Sequence, residues 1–163
     1  RDLVRSRGLG DVYKRQMSYV ENGELDAIIL AYAGLVRGGY GDRPTEVFDP
    51  QVFMPAPAQG ALAVECRTDD AAARAAIDKL ADASATAEST AERSVLATLE
   101  AGCTAPVAAT AVRNDDTVAL RAGVFALDGS RQLVEEAEGT DPAELGRRVA
   151  EALLERGAAA LMD

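Results

Sequence analysis

The fold of this chain is decided by residues 107–137, which read VAATAVRNDDTVALRAGVFALDGSRQLVEEA. Three short apolar runs are separated here by two stretches of turn-forming residues. The runs are residues 107–112, 118–125 and 132–137, and the turns are residues 114–116 and 128–130. This pattern predicts a three-stranded antiparallel meander.

A helical pattern follows the predicted sheet. Asp141 stands at an N-cap position, with Pro142 at the first helical position and Glu144 two residues later. We expect Gly157 to end this helix. Its predicted buried face consists of Leu145, Val149, Ala152 and Leu153.

A second helical pattern precedes the sheet. We expect this helix to begin between residues 82 and 89 and to end at Gly102. Residues 89–92 fit either a capping box or a position inside the helix. The predicted core-facing residues are Val95, Leu96 and Leu99. Residues 85–163 therefore predict a small α+β domain, a three-stranded sheet with helices packed against it.

Residues 17–84 contain too few elements to form a domain of their own. The apolar runs at 25–33 and 61–65 predict two buried strands, the first of the parallel type. Residues 38–44 predict a loop, and residues 44–58 predict an extended connection.

One helix is expected in this part of the chain. Asp69 and Asp70 open it, and it runs through Leu80, with Ala73, Ile77 and Leu80 on one face. Two strands and one helix cannot enclose a core, so we expect their packing partners to lie in sequence outside this chain.

Residues 1–16 are interpreted separately. The stretch SRGLGDVYKRQ, residues 6–16, resembles a translated sequencing adaptor. The segment is basic, but it lacks the apolar region of a targeting signal. We therefore expect it to be non-native and exclude it from the fold. On this interpretation Met17 is an internal methionine, and the gene is truncated at its 5′ end.

Composition excludes several classes of function. The chain has 17 basic and 27 acidic residues, a net charge of −10, and an acidic surface repels nucleic acid and anionic membranes. We therefore expect neither as a partner, and no apolar run approaches the length of a membrane span. Histidine is absent, which removes histidine bases and the usual zinc ligands, so no metal site is expected.

The chain has two cysteines, Cys66 and Cys103. They could form one disulfide, but without a secretion signal we expect a reduced pair in the cytoplasm. Cys103 lies in a short predicted connection between helix and strand, where a thiol can react with a ligand. A small buried apolar side chain is the alternative role for such a cysteine.

Three ordered motifs carry a resemblance to a known family. They are NGELDAIILA at residues 22–31 with AGL at 33–35, PAPAQGALAVECR at 55–67, and LEAGCTAPV at 99–107. From Met17 onward the chain resembles the hydroxymethylbilane synthase (porphobilinogen deaminase) family. Members of this family condense four porphobilinogen molecules, with loss of ammonia, into a linear tetrapyrrole. The growing chain is attached to a dipyrromethane primer bound to a cysteine.

The resemblance implies roles for individual residues. Cys103 matches the cysteine that carries the dipyrromethane cofactor through a thioether. Arg37 matches an arginine that binds pyrrole carboxylates, for which a bidentate guanidinium is suited, although a solvated surface arginine is the alternative. Gln59 matches a cofactor-binding residue at a domain crossover, with backbone capping as the alternative. Cys66 matches a buried, inert strand cysteine.

The resemblance also implies an architecture of class α/β. The family has three domains, and the first two are similar to periplasmic binding proteins. Cytoplasmic monomers are expected. In this sequence the expected segments are residues 17–54 (end of domain two), 55–60 (crossover), 61–84 (returning part of domain one) and 85–163 (cofactor-attachment domain).

The resemblance covers only part of the family's catalytic machinery. The family's catalytic aspartate lies in the half that this sequence lacks, so no catalytic residue is retained and the chain alone is expected to be inactive. Arg93 and Glu92 are expected to form a surface or interdomain ion pair. The alternatives in other classes are a non-enzymatic ligand-binding module with a structural cysteine and a thiol enzyme. No Cys-x-x-Cys pair supports the second.

Overall fold

The computed structural model describes residues 9–102 and 104–162, which divide into two compact units between Phe48 and Asp49. The first unit contains helices α1 (Leu9–Glu21) and α2 (Tyr32–Arg37). The second unit begins with α3 (Ala71–Ile77), a 3₁₀ turn (Asp78–Leu80) and α4 (Ala83–Thr98). It continues with β1 (Val107–Asn114), β2 (Thr117–Phe125), β3 (Gln132–Gly139), α5 (Pro142–Glu155) and α6 (Ala159–Met162).

The sheet confirms the predicted meander. Its strand order is β1-β2-β3, and both neighbouring pairs are antiparallel. Leu120 in the central strand is opposite Ala111 on one side and Ala137 on the other. Asp115 and Gly129 take left-handed backbone conformations in the two turns, with φ of 53° and 72°. The predicted strand ends are correct to within two residues.

One face of the sheet packs against α4 and α5 and forms the core of the second unit. Alternate residues of each strand point to this face, because side chains alternate along a strand. Its largest fully buried side chains are Val95, Leu120, Val124, Leu145, Val149 and Leu153. The predicted core positions Val95, Leu99, Leu145, Val149 and Leu153 are confirmed as buried, and Leu96 packs against them.

Helix α5 begins as predicted, with the Asp141 carboxylate accepting hydrogen bonds from the amides of Ala143 and Glu144 at 3.0 Å. Ala152 was predicted to lie on the buried face of the helix, but it is only half-buried. Gly146 is buried instead, where α5 meets α4. A Cβ at residue 146 would lie 2.6 Å from the Cβ of Ser94, so glycine permits the close approach of the two helices.

Helix α4 ends at Thr98, four residues before the predicted end at Gly102. The Glu100 amide donates to the Ala97 carbonyl and the Ala101 amide donates to the Leu96 carbonyl, which is the Schellman pattern. Glu100 occupies its left-handed position, with φ of 52°. The predicted end was wrong because glycine usually occupies this left-handed position, whereas here Glu100 occupies it, two residues before Gly102. Residues 89–92 lie inside the helix.

Both edges of the sheet are bonded to groups from outside it. On the free edge of β1, the amides of Ala109, Ala111 and Arg113 donate to the Pro55 carbonyl, the Glu92 carboxylate and the Glu88 carboxylate, at 3.1, 2.7 and 2.9 Å. On β3, the Glu138 carbonyl accepts from Arg148 of α5 at 2.7 Å, and the Val134 carbonyl accepts from Arg156, which directly follows α5, at 2.6 Å. We call these contacts the edge caps.

The two strands predicted before residue 70 do not form. Residues 25–31 have no regular structure, and the side chain of Ile29 is 67% exposed. Residues 61–65 likewise form no strand, and Leu62 is 79% exposed. A strand needs a neighbour for its amides and carbonyls, and the described residues offer none to either run.

Several smaller predictions in this region are also corrected. Residues 33–35 belong to helix α2, which buries Leu35, and do not end a strand. Cys66 is exposed, since the strand expected to bury it is absent. Asp70 caps α3 as predicted, and Ala73 and Ile77 are half-buried, but Leu80 is exposed because the helix tightens into a 3₁₀ turn.

Residues 9–58 also contain a loop, a long connection and helix α1. The loop at 38–44 is confirmed. Residues 44–58 contain no helix or strand, but turns at 50–52 and 57–60 interrupt the extended connection that was predicted. Helix α1 was not predicted, because residues 1–16 were excluded from the fold; it is continuous across Met17. In the described part of the chain, no helix is both long and apolar enough to cross a membrane.

Candidate functional site

The predicted cofactor cysteine, Cys103, lies outside the described residues. Its neighbours connect the end of α4 to the start of β1. Gly102 and Thr104 are exposed, and no atom lies within 4 Å of a Cβ built on Gly102. The Ala105 amide donates to the Gly102 carbonyl at 3.0 Å. We call residues 99–106 the cysteine loop.

Gln59 lies in a tight turn within residues 55–60, which we call the crossover segment. Its amide donates to the Ala56 carbonyl at 3.1 Å, and its side chain is exposed. Gly60 follows with open space where a Cβ would stand. The preceding residue, Ala58, has φ of 59°, a left-handed conformation that a residue with a Cβ adopts at a cost of about 1–2 kcal/mol.

Glu92 joins the crossover segment to helix α4, a role that was not predicted. One carboxylate oxygen accepts from the Ala58 amide at 2.5 Å, and the other accepts from the Ala111 amide at 2.7 Å. The residue is 9% exposed. The expected surface or ion-paired role is therefore wrong for Glu92, which faces backbone amides, whereas Arg93 is exposed.

The electrostatics of Glu92 follow from this environment. Burial raises the pKa of its carboxyl above the usual value, and the amide hydrogen bonds from Ala58 and Ala111 oppose that shift. The nearby charge of Glu88 raises the pKa further. The sequence did contain a signal for this burial, because Glu92 shares a helix face with Val95, Leu96 and Leu99.

Arg37 belongs to the other compact unit. It stands in the last turn of α2 with an exposed side chain, and it forms no ion pair with any residue that the structure describes. Such a guanidinium is free to bind a carboxylate. The Gln59 segment, Glu92 and the described residues of the cysteine loop thus belong to one unit, and Arg37 belongs to the other.

A groove of about 480 Å³ lies on the sheet face opposite the helices. Its polar lining residues include Thr110, Arg121, Glu136 and Glu138. Arg121 is paired with Glu136, so the groove holds one cation and two carboxylates. This charge balance disfavours a substrate rich in carboxylates. Among the described residues, no group of three or more Cys, Asp or Glu side chains could hold a metal ion.

Comparison with known protein families identifies the class of this chain. A model described as "Porphobilinogen deaminase, dipyromethane cofactor binding domain" matches residues 2–75. A second, described as "Porphobilinogen deaminase, C-terminal domain", matches residues 86–155. The first match contains Arg37 and Gln59, and the second contains Cys103. The chain belongs to the porphobilinogen deaminase family.

Curated relatives agree with this membership. The chain is 60% identical over 146 residues to porphobilinogen deaminase of Corynebacterium aurimucosum, covering 88% of this chain and 49% of the relative. It is 56% identical over 152 residues to that of Corynebacterium glutamicum, covering 90% and 50%. It is 46% identical over 173 residues to that of Nocardia farcinica, covering 99% and 49%. The chain spans about half the length of the curated relatives it matches.

Proposed function

We propose that this chain is the part of a hydroxymethylbilane synthase that anchors the cofactor and growing tetrapyrrole, with Cys103 as the point of attachment. The whole enzyme would condense four porphobilinogen molecules with release of ammonia. The observation that carries the proposal is the match of both family domains, in order, around the motif that contains Cys103.

The residues beside Cys103 fit a bulky thioether-linked group. Gly102 and Thr104 are exposed and the space around Gly102 is open, so a dipyrromethane at residue 103 would not displace core side chains. When bound, this group supplies the pyrrole carbon to which the next substrate unit is joined. Its attachment forms a bond from Sγ of Cys103 to a substrate methylene carbon, and the amino group leaves as ammonia with the thiol proton.

The position of Cys103 suits a permanent anchor. In the sequence it follows the C-terminal end of α4, where the negative end of the helix dipole disfavours a thiolate. A turnover nucleophile would gain from the opposite end of a helix. A single attachment to a reactive electrophile needs no lowered pKa.

Arg37 and Gln59 are proposed as binding residues for the pyrrole groups. Both are exposed, and both lie in the range matched by the cofactor-binding domain. Arg37 would pair with a pyrrole carboxylate through two parallel hydrogen bonds. Gln59 would use its amide group to orient the cofactor from the crossover segment.

The remaining expectations belong to the same proposal. The domain boundaries, the non-native origin of residues 1–16, the similarity to periplasmic binding proteins, the cytoplasmic location and the monomeric state stay predictions. So does the inactivity of this chain alone, because the family's catalytic aspartate is expected outside it. The exposed run at 61–65 and its missing strand partner support an interaction with further sequence.

A chimera tests the assignment directly. Residues 17–163 would replace the matching C-terminal half of the Corynebacterium aurimucosum enzyme, and porphobilinogen consumption and protein mass would be measured. We expect the chimera to carry a dipyrromethane and to form hydroxymethylbilane. Cys103→Ser should remove the added mass and the activity, whereas Cys66→Ser, the matched control, should retain both.

Two outcomes would contradict the proposal. A folded chimera whose pyrroles are attached away from Cys103 excludes the anchor role. A folded chimera that binds porphobilinogen without releasing ammonia favours a non-enzymatic binding module. The isolated 163-residue chain should keep its mass when incubated with porphobilinogen, and an adduct on Cys103 there would overturn the predicted inactivity alone.

A further inference from the structure

Glu92 is a buried carboxylate that the proposed reaction does not use. Its two oxygens accept hydrogen bonds from two different parts of the chain, the Ala58 amide and the Ala111 amide. Residues 58 and 92 are 34 positions apart in sequence. A buried charge is costly unless it is fully bonded, so both amide contacts are needed to keep this carboxylate inside.

The crossover segment is held to the C-terminal domain at two points. The Pro55 carbonyl accepts from the Ala109 amide at 3.1 Å, and the Ala58 amide donates to Glu92 at 2.5 Å. The left-handed conformation of Ala58 aims its amide at the carboxylate. The hydrogen bond between Ala58 and Glu92 therefore offsets the backbone strain at Ala58 and also part of the cost of burying the Glu92 carboxylate.

Glu88 provides a contrast on the same helix. It lies one turn earlier and accepts from the Arg113 amide at 2.9 Å, so it also caps the edge of β1. It makes no recorded bond to the crossover segment. Both glutamates thus accept a hydrogen bond from an amide on the edge of β1. Of the two, Glu92 alone also bonds to the crossover segment.

We propose that Glu92 is the positioning residue that fixes the crossover segment, and with it Gln59, relative to helix α4 and the cysteine loop. The importance of this positioning for the reaction rests on the proposed function. The anchoring itself is independent of the proposed function, because it is a property of hydrogen bonds within this chain. Residues 55–58 then move with helix α4 and strand β1.

The test uses the 163-residue chain without substrate. Amide hydrogen exchange is followed by NMR in the original protein, in Glu92→Gln and in the matched control Glu88→Gln. A glutamine at residue 92 keeps one acceptor oxygen, and the more deeply buried Ala111 amide retains it, since an unpaired buried amide costs more. We expect exchange at Ala58 to rise on the order of 10-fold in Glu92→Gln.

The control distinguishes the loss of the contact between Glu92 and Ala58 from a general loss of stability in the domain. Glu88→Gln should leave Ala58 exchange unchanged and accelerate Arg113 instead. The amides of Leu120 and Ala122 in the central strand should stay protected in both variants, which shows that the core is intact. Equal exchange at Ala58 in the original protein and Glu92→Gln, or equal acceleration by both substitutions, would overturn the proposal.

The charged groups around Glu92 bear on the comparison of the two variants. Glu88 is the charged side chain that acts on it. The crossover segment has no ionisable side chain, and the Arg113 guanidinium on β1 bonds the Asp115 carbonyl. On α5, the residue that meets α4 most closely is Gly146. Failure of pyrrole attachment at Cys103 would leave these exchange results unaffected, so the two proposals fail separately.

Discussion

Residues 25–31 and residues 107–112 are both short apolar runs, yet only the second forms a strand. The first, LDAIILA, has no regular secondary structure and is largely exposed, whereas the second, VAATAV, begins β1 and is mostly buried. Apolar content therefore does not distinguish them. The difference lies in the sequence that follows each run.

After residues 107–112, a turn at 114–116 brings β2 directly alongside β1. After residues 25–31, the chain enters a short helix and a long connection instead. A strand is stabilised by cross-strand pairs and by paired amides, which a local hairpin supplies within a few residues. Residues 25–31 have no such neighbour among the described residues and stay unpaired.

The largest expected effect separates the core from the exposed runs. Leu120→Ala removes a side chain that is 2% exposed, and it should lower the free energy of unfolding by about 2–5 kcal/mol. Leu62→Ala, in the exposed run, should change it by less than about 0.5 kcal/mol. Urea unfolding followed by circular dichroism measures both. Equal losses would show that residues 61–65 share the core.

A second substitution tests the contact between α4 and α5. Gly146→Ala places a Cβ against the Ala91 carbonyl oxygen and 2.6 Å from the Ser94 Cβ, so the helices must separate. Such overpacking should cost about 1–3 kcal/mol. Gly60→Ala, where a Cβ meets no atom within 4 Å, is the control and should cost far less. Thermal unfolding of both variants gives the comparison, and an unchanged midpoint for Gly146→Ala would contradict the close approach.

The N-caps of two helices provide a smaller test of the contrast between the core and the exposed part of the chain. Asp141→Ala removes an N-cap on α5, which packs on the core, and should cost about 1 kcal/mol. Asp70→Ala removes an N-cap on α3, which buries no side chain fully, so the global unfolding midpoint should stay the same. Local exchange in α3 should nevertheless increase. A global loss for Asp70→Ala would place α3 in the cooperative unit.

The smallest expected change is a gain in stability. Glu100 ends α4 with φ of 52°, a conformation that glycine adopts without steric cost. Glu100→Gly should therefore raise the free energy of unfolding by up to about 1 kcal/mol. The same change at Glu155, the last residue of α5, where the backbone is helical, should lower it. Chemical denaturation of the pair checks the sign, and a loss at residue 100 would refute the strain.

Local patterns predicted the C-terminal half of the fold because its information is local. The turns at 114–116 and 128–130 and the Asp141 cap act over a few residues, and each formed as expected. The runs at 25–33 and 61–65 have no local hairpin partner among the described residues, so apolar pattern alone could not decide their structure. The Gly102 helix end failed for another reason, since Glu100 takes a conformation that glycine usually fills.

The candidate site was predictable to a different extent. Motifs indicated Cys103, Gln59 and Arg37 by type, and the family comparison supports the family from which those roles were carried over. Glu92 was assigned to the surface because charged residues are rarely buried. Its actual role depends on the Ala58 amide, 34 residues earlier, and no local pattern connects the two.

The edge caps have a consequence for self-association. An open sheet edge can recruit a strand from a neighbouring molecule and so begin aggregation. Glutamates at one edge and arginines at the other already occupy polar groups of the backbone that such a strand would need. The three-stranded sheet therefore resists enlargement at the positions they cover, even when uncovered apolar runs such as residues 61–65 are present in the same solution.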